Sequence, residues 1–71
     1  MSKLTVLSGE ELIKALLKAG FTIVRQKGSH VSLQNGIYKT VVPLHEELAK
    51  GTLLSILKQC GLSKEDLIKL L

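Results

Sequence analysis

The sequence predicts an α+β fold of order αβββα. Three antiparallel strands form a sheet, the helices before and after them in the sequence pack on one face of it, and a short extra helix follows at the C-terminus. Three observations predict this fold. A capping signal precedes apolar residues at helical spacing near the N-terminus. β-Branched residues and polar–apolar alternation fill the middle of the chain, between glycine-containing turns. A second apolar stripe at helical spacing follows Pro43.

The first helix is predicted from about Gly9 to Ala19. Ser8 and Glu11 have the spacing of a capping box, in which the serine hydroxyl accepts from the Glu11 amide and the glutamate reaches back. Apolar residues then recur at helical spacing: Leu12, Ile13, Leu16, Leu17 and Ala19. Gly20 ends this helix, because glycine readily takes the left-handed conformation found after helix C-termini.

Three strands, at 21–26, 30–34 and 37–42, are predicted to form an antiparallel meander. Lys27-Gly28-Ser29 is the first turn. Asn35-Gly36 is the second, and it is a strong hairpin signal because both residues tolerate a positive φ. Pro43 stops the third strand.

Strict alternation in the second strand sorts its side chains between two faces. Val31 and Leu33 share one face, and His30, Ser32 and Gln34 share the other. Two amphipathic helices need a common apolar surface, which the Val31 face provides. We therefore expect His30 to point outward.

The second helix is predicted to begin at Gly51-Thr52, with Thr52 as its N-cap, and to end at Gly61. Its apolar stripe comprises Leu53, Ile56, Leu57 and Cys60. Ser63 offers a weaker capping signal for the terminal helix. Because Cys60 lies on the stripe, we expect a buried, inert thiol.

Length and composition favour one domain spanning residues 1–71 in a cytoplasmic protein. A chain of 71 residues leaves no room for a second core. The lone Cys60 cannot form an internal disulfide, which suits a reducing compartment. The N-terminus lacks a secretion signal, and no segment approaches the roughly 20 apolar residues that span a membrane.

Charge is unevenly distributed along the chain. The net charge is +4, and no acidic residue lies between Leu12 and His45. That segment carries five cations: Lys14, Lys18, Arg25, Lys27 and Lys39. Nucleic acid or an acidic protein is the natural partner of such a surface, although a solvated basic face without a partner has the same composition.

His30 is the strongest candidate for a chemical role. Histidine is the side chain that exchanges protons near neutral pH, and the chain has only His30 and His45. Arg25 and Lys27 precede His30 and could attract a phosphodiester, Gly28 permits close backbone approach, and Ser29 adds a donor. An ordinary surface histidine at a hairpin end fits the same pattern, so the residues alone leave both interpretations open.

Other binding and catalytic chemistries find little support. His45 is either a phosphate or base contact or an incidental loop residue, and Lys39 is a further candidate contact. The histidines, the cysteine and the scattered acids do not have metal-ligand spacing, and there is no glycine-rich phosphate loop. We therefore expect no metal and no cofactor.

The motifs resemble those of the HicA (YcfA-like) toxins of bacterial toxin–antitoxin modules. The similarity runs from Ser8 to about Ser63. It comprises Ser8-Gly9-Glu10-Glu11-Leu12, Ala19-Gly20-Phe21, Val24-Arg25-Gln26-Lys27-Gly28-Ser29-His30, Val42-Pro43-Leu44-His45 and 50–62, which begins Lys50-Gly51-Thr52-Leu53. Gly-Ser-His combined with Pro-x-His and Gly-Thr-Leu at these distances is a specific signature.

The resemblance implies a double-stranded-RNA-binding-type αβββα fold and an endoribonuclease that cleaves mRNA. It implies that a HicB-like antitoxin protein neutralises the toxin, and it assigns the catalytic role to His30. A metal-independent reaction would use the ribose 2′-OH, with His30 as general acid or base. A non-catalytic RNA-binding module and a docking domain for an acidic protein are the alternatives.

Overall fold

The computed structural model describes residues 6–71. Its elements are α1 (Gly9–Lys18), β1 (Thr22–Lys27), β2 (His30–Asn35), β3 (Tyr38–Pro43), α2 (Lys50–Cys60) and α3 (Lys64–Leu70). The strands form an antiparallel sheet of order β1-β2-β3. The predicted α+β arrangement is confirmed, including the extra terminal helix.

The capping box at the start of α1 is formed as predicted. The Glu11 backbone N–H donates to Ser8 Oγ at 3.1 Å, and the Ser8 N–H donates to Glu11 Oε1 at 2.9 Å. The helix ends at Lys18, and Gly20 has a φ of 105°. Its apolar face, which includes Leu12 and Leu16, is buried.

The sheet has one buried face and one open face. Val31 lies opposite Val42, and Leu33 lies opposite Thr40; all four side chains are buried. Both α1 and α2 pack against this part of the sheet. His30 is exposed on the other face, with Ser32 and Gln34 half-buried beside it, so the predicted division of β2 is confirmed.

The β2–β3 turn differs from the prediction by one residue. Asn35 completes the ladder opposite Tyr38, so Gly36 and Ile37 form the turn. Gly36 has a φ of 61°, and Asn35 has no positive φ. The predicted Asn35-Gly36 turn is therefore shifted by one residue, and only Gly36 uses the positive φ that both residues tolerate. A glycine at the first turn position followed by a residue with negative φ suits a type II′ hairpin, which also matches strand twist.

The start of α2 also differs from the prediction. The helix begins at Lys50, its N-cap is Ala49, and no side chain caps it; Thr52 lies inside the helix. The chain before it is already fixed, because Leu48 is buried and its N–H donates to the Leu7 carbonyl at 2.8 Å. The first helical hydrogen bond, from Leu53 N to Ala49 O, therefore forms earlier than the Thr52 signal suggested.

The C-terminal part of the fold agrees with the sequence. Gly61 ends α2 in the left-handed conformation, and Ser63 forms a capping box with Asp66. Leu67 is fully buried and anchors α3, which packs on α1 and α2. Among residues 6–71, no helix has the length and apolarity that a membrane crossing requires.

Candidate functional site

His30 opens β2 on the exposed face of the sheet. Its neighbours in the ladder are Lys27 on β1 and Pro43 on β3. Cβ atoms of directly opposite residues lie about 4.5–5.5 Å apart in antiparallel sheets. The imidazole therefore stands beside one cationic side chain, at the end of the sheet.

The turn before His30 consists of Gly28 and Ser29. Gly28 has a φ of 59°, a conformation that residues with a Cβ rarely adopt, and a Cβ there would meet no atom within 4 Å. The Leu44 N–H donates to the Ser29 carbonyl at 2.7 Å, which holds the turn against the chain leaving β3. The turn thus needs glycine for its backbone angle, and the space in front of it is open.

A β-bulge at Val24 lets Phe21 lie in the core while Arg25 and Lys27 share the His30 face. Ile23 pairs with Leu33 and Arg25 pairs with Ser32, so Val24 is the extra residue. In a regular strand the odd positions Phe21, Ile23, Arg25 and Lys27 would share one face. The bulge separates them, so that Phe21 is buried while Arg25 and Lys27 lie on the outer face with His30.

The chain beyond β3 places His45 near this end of the sheet. His45 is exposed and lies two residues past Pro43, the ladder partner of His30. The Gly9 N–H at the start of α1 donates to the His45 carbonyl at 2.9 Å. Gly9 is buried, and a Cβ on it would overlap the Pro43 carbonyl oxygen. Helix α1 therefore fixes the position of the His45 segment.

Lys39 lies apart from the other candidates. It is opposite Gln34, four residues along β2 from His30, which corresponds to about 13 Å. The structure thus brings Arg25, Lys27, Gly28 and Ser29 next to His30 and places Lys39 farther along the same face.

Cys60 and the acidic residues form no second centre. Within the described part of the chain, no three His, Cys, Asp or Glu side chains are grouped as metal ligands. Burial raises the pKa of the Cys60 thiol, and a hydrogen bond with Thr40 offsets part of that effect. The thiol is buried on the core side of α2, as its place in the apolar stripe predicts.

A groove that was not predicted from the sequence lies beside the histidine. It has a volume of about 880 Å³ and lies between the outer residues of the sheet and the polar side of α2. His30 is not part of its lining, which begins two residues farther along β2, at Ser32. The only sequence signal was the polar stripe Thr52, Ser55 and Gln59, which alone is typical of any solvated helix face.

The fold and this end of the sheet define a small α+β protein with an exposed histidine in a basic hairpin. The family described as HicA toxin of bacterial toxin–antitoxin matches residues 9–62. Because the match covers more than half of the chain, this protein belongs to the HicA toxin family. No curated protein gave a significant match.

Proposed function

We propose that this HicA toxin is an endoribonuclease that cleaves mRNA in the cytoplasm, with His30 as its catalytic residue. The observation that carries the proposal is the exposed His30 imidazole beside Arg25 and Lys27 on one face. Phosphodiester backbones are drawn to such cations, and imidazole is a competent general acid or base near neutral pH. Family membership supports the assignment.

The proposed reaction uses the nucleophile of the substrate. The ribose 2′-oxygen attacks the adjacent phosphorus and loses its proton, the bond from phosphorus to the 5′-oxygen breaks, and the 5′-oxygen takes up a proton. His30 accepts the first proton or donates the second. The products are a 2′,3′-cyclic phosphate and a 5′-hydroxyl, and the reaction needs no metal ion.

The residues around His30 have binding roles in this proposal. Arg25 and Lys27 hold the phosphate and offset the charge that develops on it. The open space at Gly28 lets the RNA backbone approach the turn, and Ser29 supplies a hydroxyl donor. His45 and Lys39 contact neighbouring phosphates or bases.

The experiment compares wild type with His30→Ala for growth arrest on induction and for RNA integrity with purified protein. His45→Ala is the comparison, because it removes an exposed imidazole from the same end of the sheet and should weaken RNA binding without abolishing cleavage. We expect only His30→Ala to abolish both effects, wild-type products to carry 5′-hydroxyl ends, and EDTA to leave cleavage unchanged. Products with 5′-phosphates, or full activity of His30→Ala, would refute the proposal.

We further propose that a HicB-like antitoxin neutralises the toxin by covering His30. The family description names a toxin–antitoxin pair, and the basic segment between Leu12 and His45 suits an acidic surface. The purified complex should then leave RNA intact and protect the Gly28–His30 turn from hydrogen exchange. An inhibited complex in which this turn exchanges as in the free toxin would contradict occlusion.

A further inference from the structure

The groove beside His30 combines apolar walls with polar residues. Val24 and Val41 give it apolar walls, with exposed fractions of 56% and 47%. Its polar lining residues include Ser32 and Gln34 on β2 and Thr52, Ser55 and Gln59 on α2. A base has apolar faces and an edge of donors and acceptors, which amide and hydroxyl side chains match.

One of these polar groups is already oriented. Thr40 Oγ1 donates to Gln59 Oε1 at 2.7 Å, and Thr40 is buried. The hydrogen bond fixes the Gln59 amide, so its NH₂ group is directed away from Thr40. An oriented side-chain amide discriminates between ligand edges better than a freely rotating one.

The groove begins at Ser32, two residues from the histidine on the same face of β2. His30, Ser32 and Gln34 are successive outer residues of β2, spaced by about 7 Å. Ser32 lies opposite Arg25 on one side and Val41 on the other. A chain whose phosphate sits at Arg25 and Lys27 therefore has the groove within reach of its next base.

The positive charge around the groove favours a negatively charged ligand. Arg25 and Lys27 flank the groove on the His30 side and Lys39 lines it, within a stretch of sequence that has no acids. Such a surface favours a polyanion, and only an unpaired strand can turn a base into a side groove.

We propose that this groove binds one unpaired nucleobase of RNA next to the phosphate that His30 acts on, and so sets base preference. The proposal rests on the proposed function for its choice of RNA, but it concerns different residues. It predicts a contribution to affinity that depends on the bases and not on the phosphates.

Fluorescence anisotropy with two single-stranded 2′-O-methyl oligonucleotides tests the groove. One carries mixed bases, and the other is abasic with the same number of phosphates; neither has a 2′-OH to attack. Wild type should bind the base-bearing oligonucleotide about five- to tenfold more tightly, as one or two hydrogen bonds and a buried base would give. Ser55→Tyr, which fills the groove from an exposed helix position, should reduce this ratio to below about twofold.

Lys58→Tyr is the matched control, because it adds the same ring to α2 outside the groove and should preserve the ratio. Val41→Ser, which removes an apolar wall, should lower the ratio in a second way. Equal affinity of wild type for both oligonucleotides would overturn the proposal and leave the groove to a protein partner. So would an undiminished ratio in folded Ser55→Tyr.

RNA cleavage by the wild type distinguishes failure of the proposed function from failure of the groove proposal. RNA left intact by wild type, together with a base-dependent ratio, would reject the proposed function but keep the groove. RNA cleavage with equal affinity for the two oligonucleotides would keep the proposed function and reject the groove as a base site.

Discussion

Gly9 shows how a single residue supports the candidate site. It lies where α1 meets the end of β3, and its N–H binds the His45 carbonyl. A side chain at this position has no room, because the Pro43 carbonyl oxygen occupies the place of a Cβ. The sequence showed Gly9 only as part of a capping signal, since the approach of residue 43 to residue 9 is a tertiary contact.

Gly9→Ala should therefore lower the free energy of unfolding by about 1–3 kcal/mol, as overpacking does. Gly51→Ala is the control: a Cβ there meets nothing within 4 Å, and alanine in α2 should stabilise by up to about 1 kcal/mol. Urea unfolding measures both. Equal changes in the free energy of unfolding for the two substitutions would show that Gly9 is not in close contact with the Pro43 carbonyl.

His30 illustrates what the sequence could predict at this scale. Alternation with Val31 and Leu33 was enough to place it on the open face, and burial confirms that placement. Alternation counted from the buried Phe21 would have placed Arg25 on the inner face, because the bulge between them has no reliable sequence signal. The role of either residue in catalysis remains a prediction.

Among the secondary-structure elements, β1 and the residue before it lie partly in the core and partly on the outer face of the sheet. Phe21 belongs to the core, whereas Arg25 and Lys27 face solvent beside His30, and the bulge at Val24 satisfies both. Strand locations were predictable to within a residue from composition and turns. The start of α2 was not, because Leu48 anchors the chain one turn before the Thr52 signal.

The two cations of β1 share the outer face with His30. Substitutions that remove their charges test whether they belong to the candidate site. Arg25→Gln and Lys27→Gln should each weaken binding of single-stranded RNA and reduce the salt dependence of the affinity by about one counterion. Lys14→Gln removes the same charge from the exposed side of α1 and should change neither. An equal loss in all three variants would mean that only net charge matters.

The capping box of α3 predicts a pH dependence of stability. The hydrogen bond donated by the Ser63 backbone N–H, and then the Ser63 hydroxyl, hold the pKa of Asp66 below its ordinary 3.8. Since the folded pKa is the lower one, the stabilising contribution is complete above the unfolded value and is lost as pH falls through the folded value.

Asp66→Asn should thus destabilise the protein near neutrality, with a penalty that shrinks as the pH drops below about 4. Unfolding free energies at several pH values measure it. Glu65→Gln is the control for loss of a first-turn charge without a hydrogen bond to Ser63. A penalty for Asp66→Asn that stays constant from neutral to acid pH would argue against this assignment.

At the scale of the whole molecule, one hydrophobic cluster joins the sheet to all three helices. Leu12 of α1, Leu33 of β2, Ile56 of α2 and Leu67 of α3 are buried in it. This leaves the outer sheet face free for the candidate site and the groove. Helical and strand periodicities predicted the buried faces of the helices and the sheet well, because apolar residues recur at the positions that are buried. They could not predict the groove, which depends on how α2 sits beside β3.

Cys60 reports on this cluster, because its thiol is buried and burial raises its pKa. A thiol reagent should label native protein slowly and unfolded protein at the rate of a free cysteine. Rapid labelling of the native protein would show that α2 opens readily from β3. A core substitution, Leu67→Ala, should accelerate labelling by weakening the packing of α3.

In the proposed mechanism, the exposed imidazole of His30 transfers a proton during RNA cleavage. The most direct measurement is the single-turnover rate on one RNA with purified wild type and His30→Ala, matched for thermal unfolding midpoint. Without His30 the cleavage rate should fall by about 10²–10⁴-fold, with RNA binding largely retained. Equal rates in two folded proteins would contradict it.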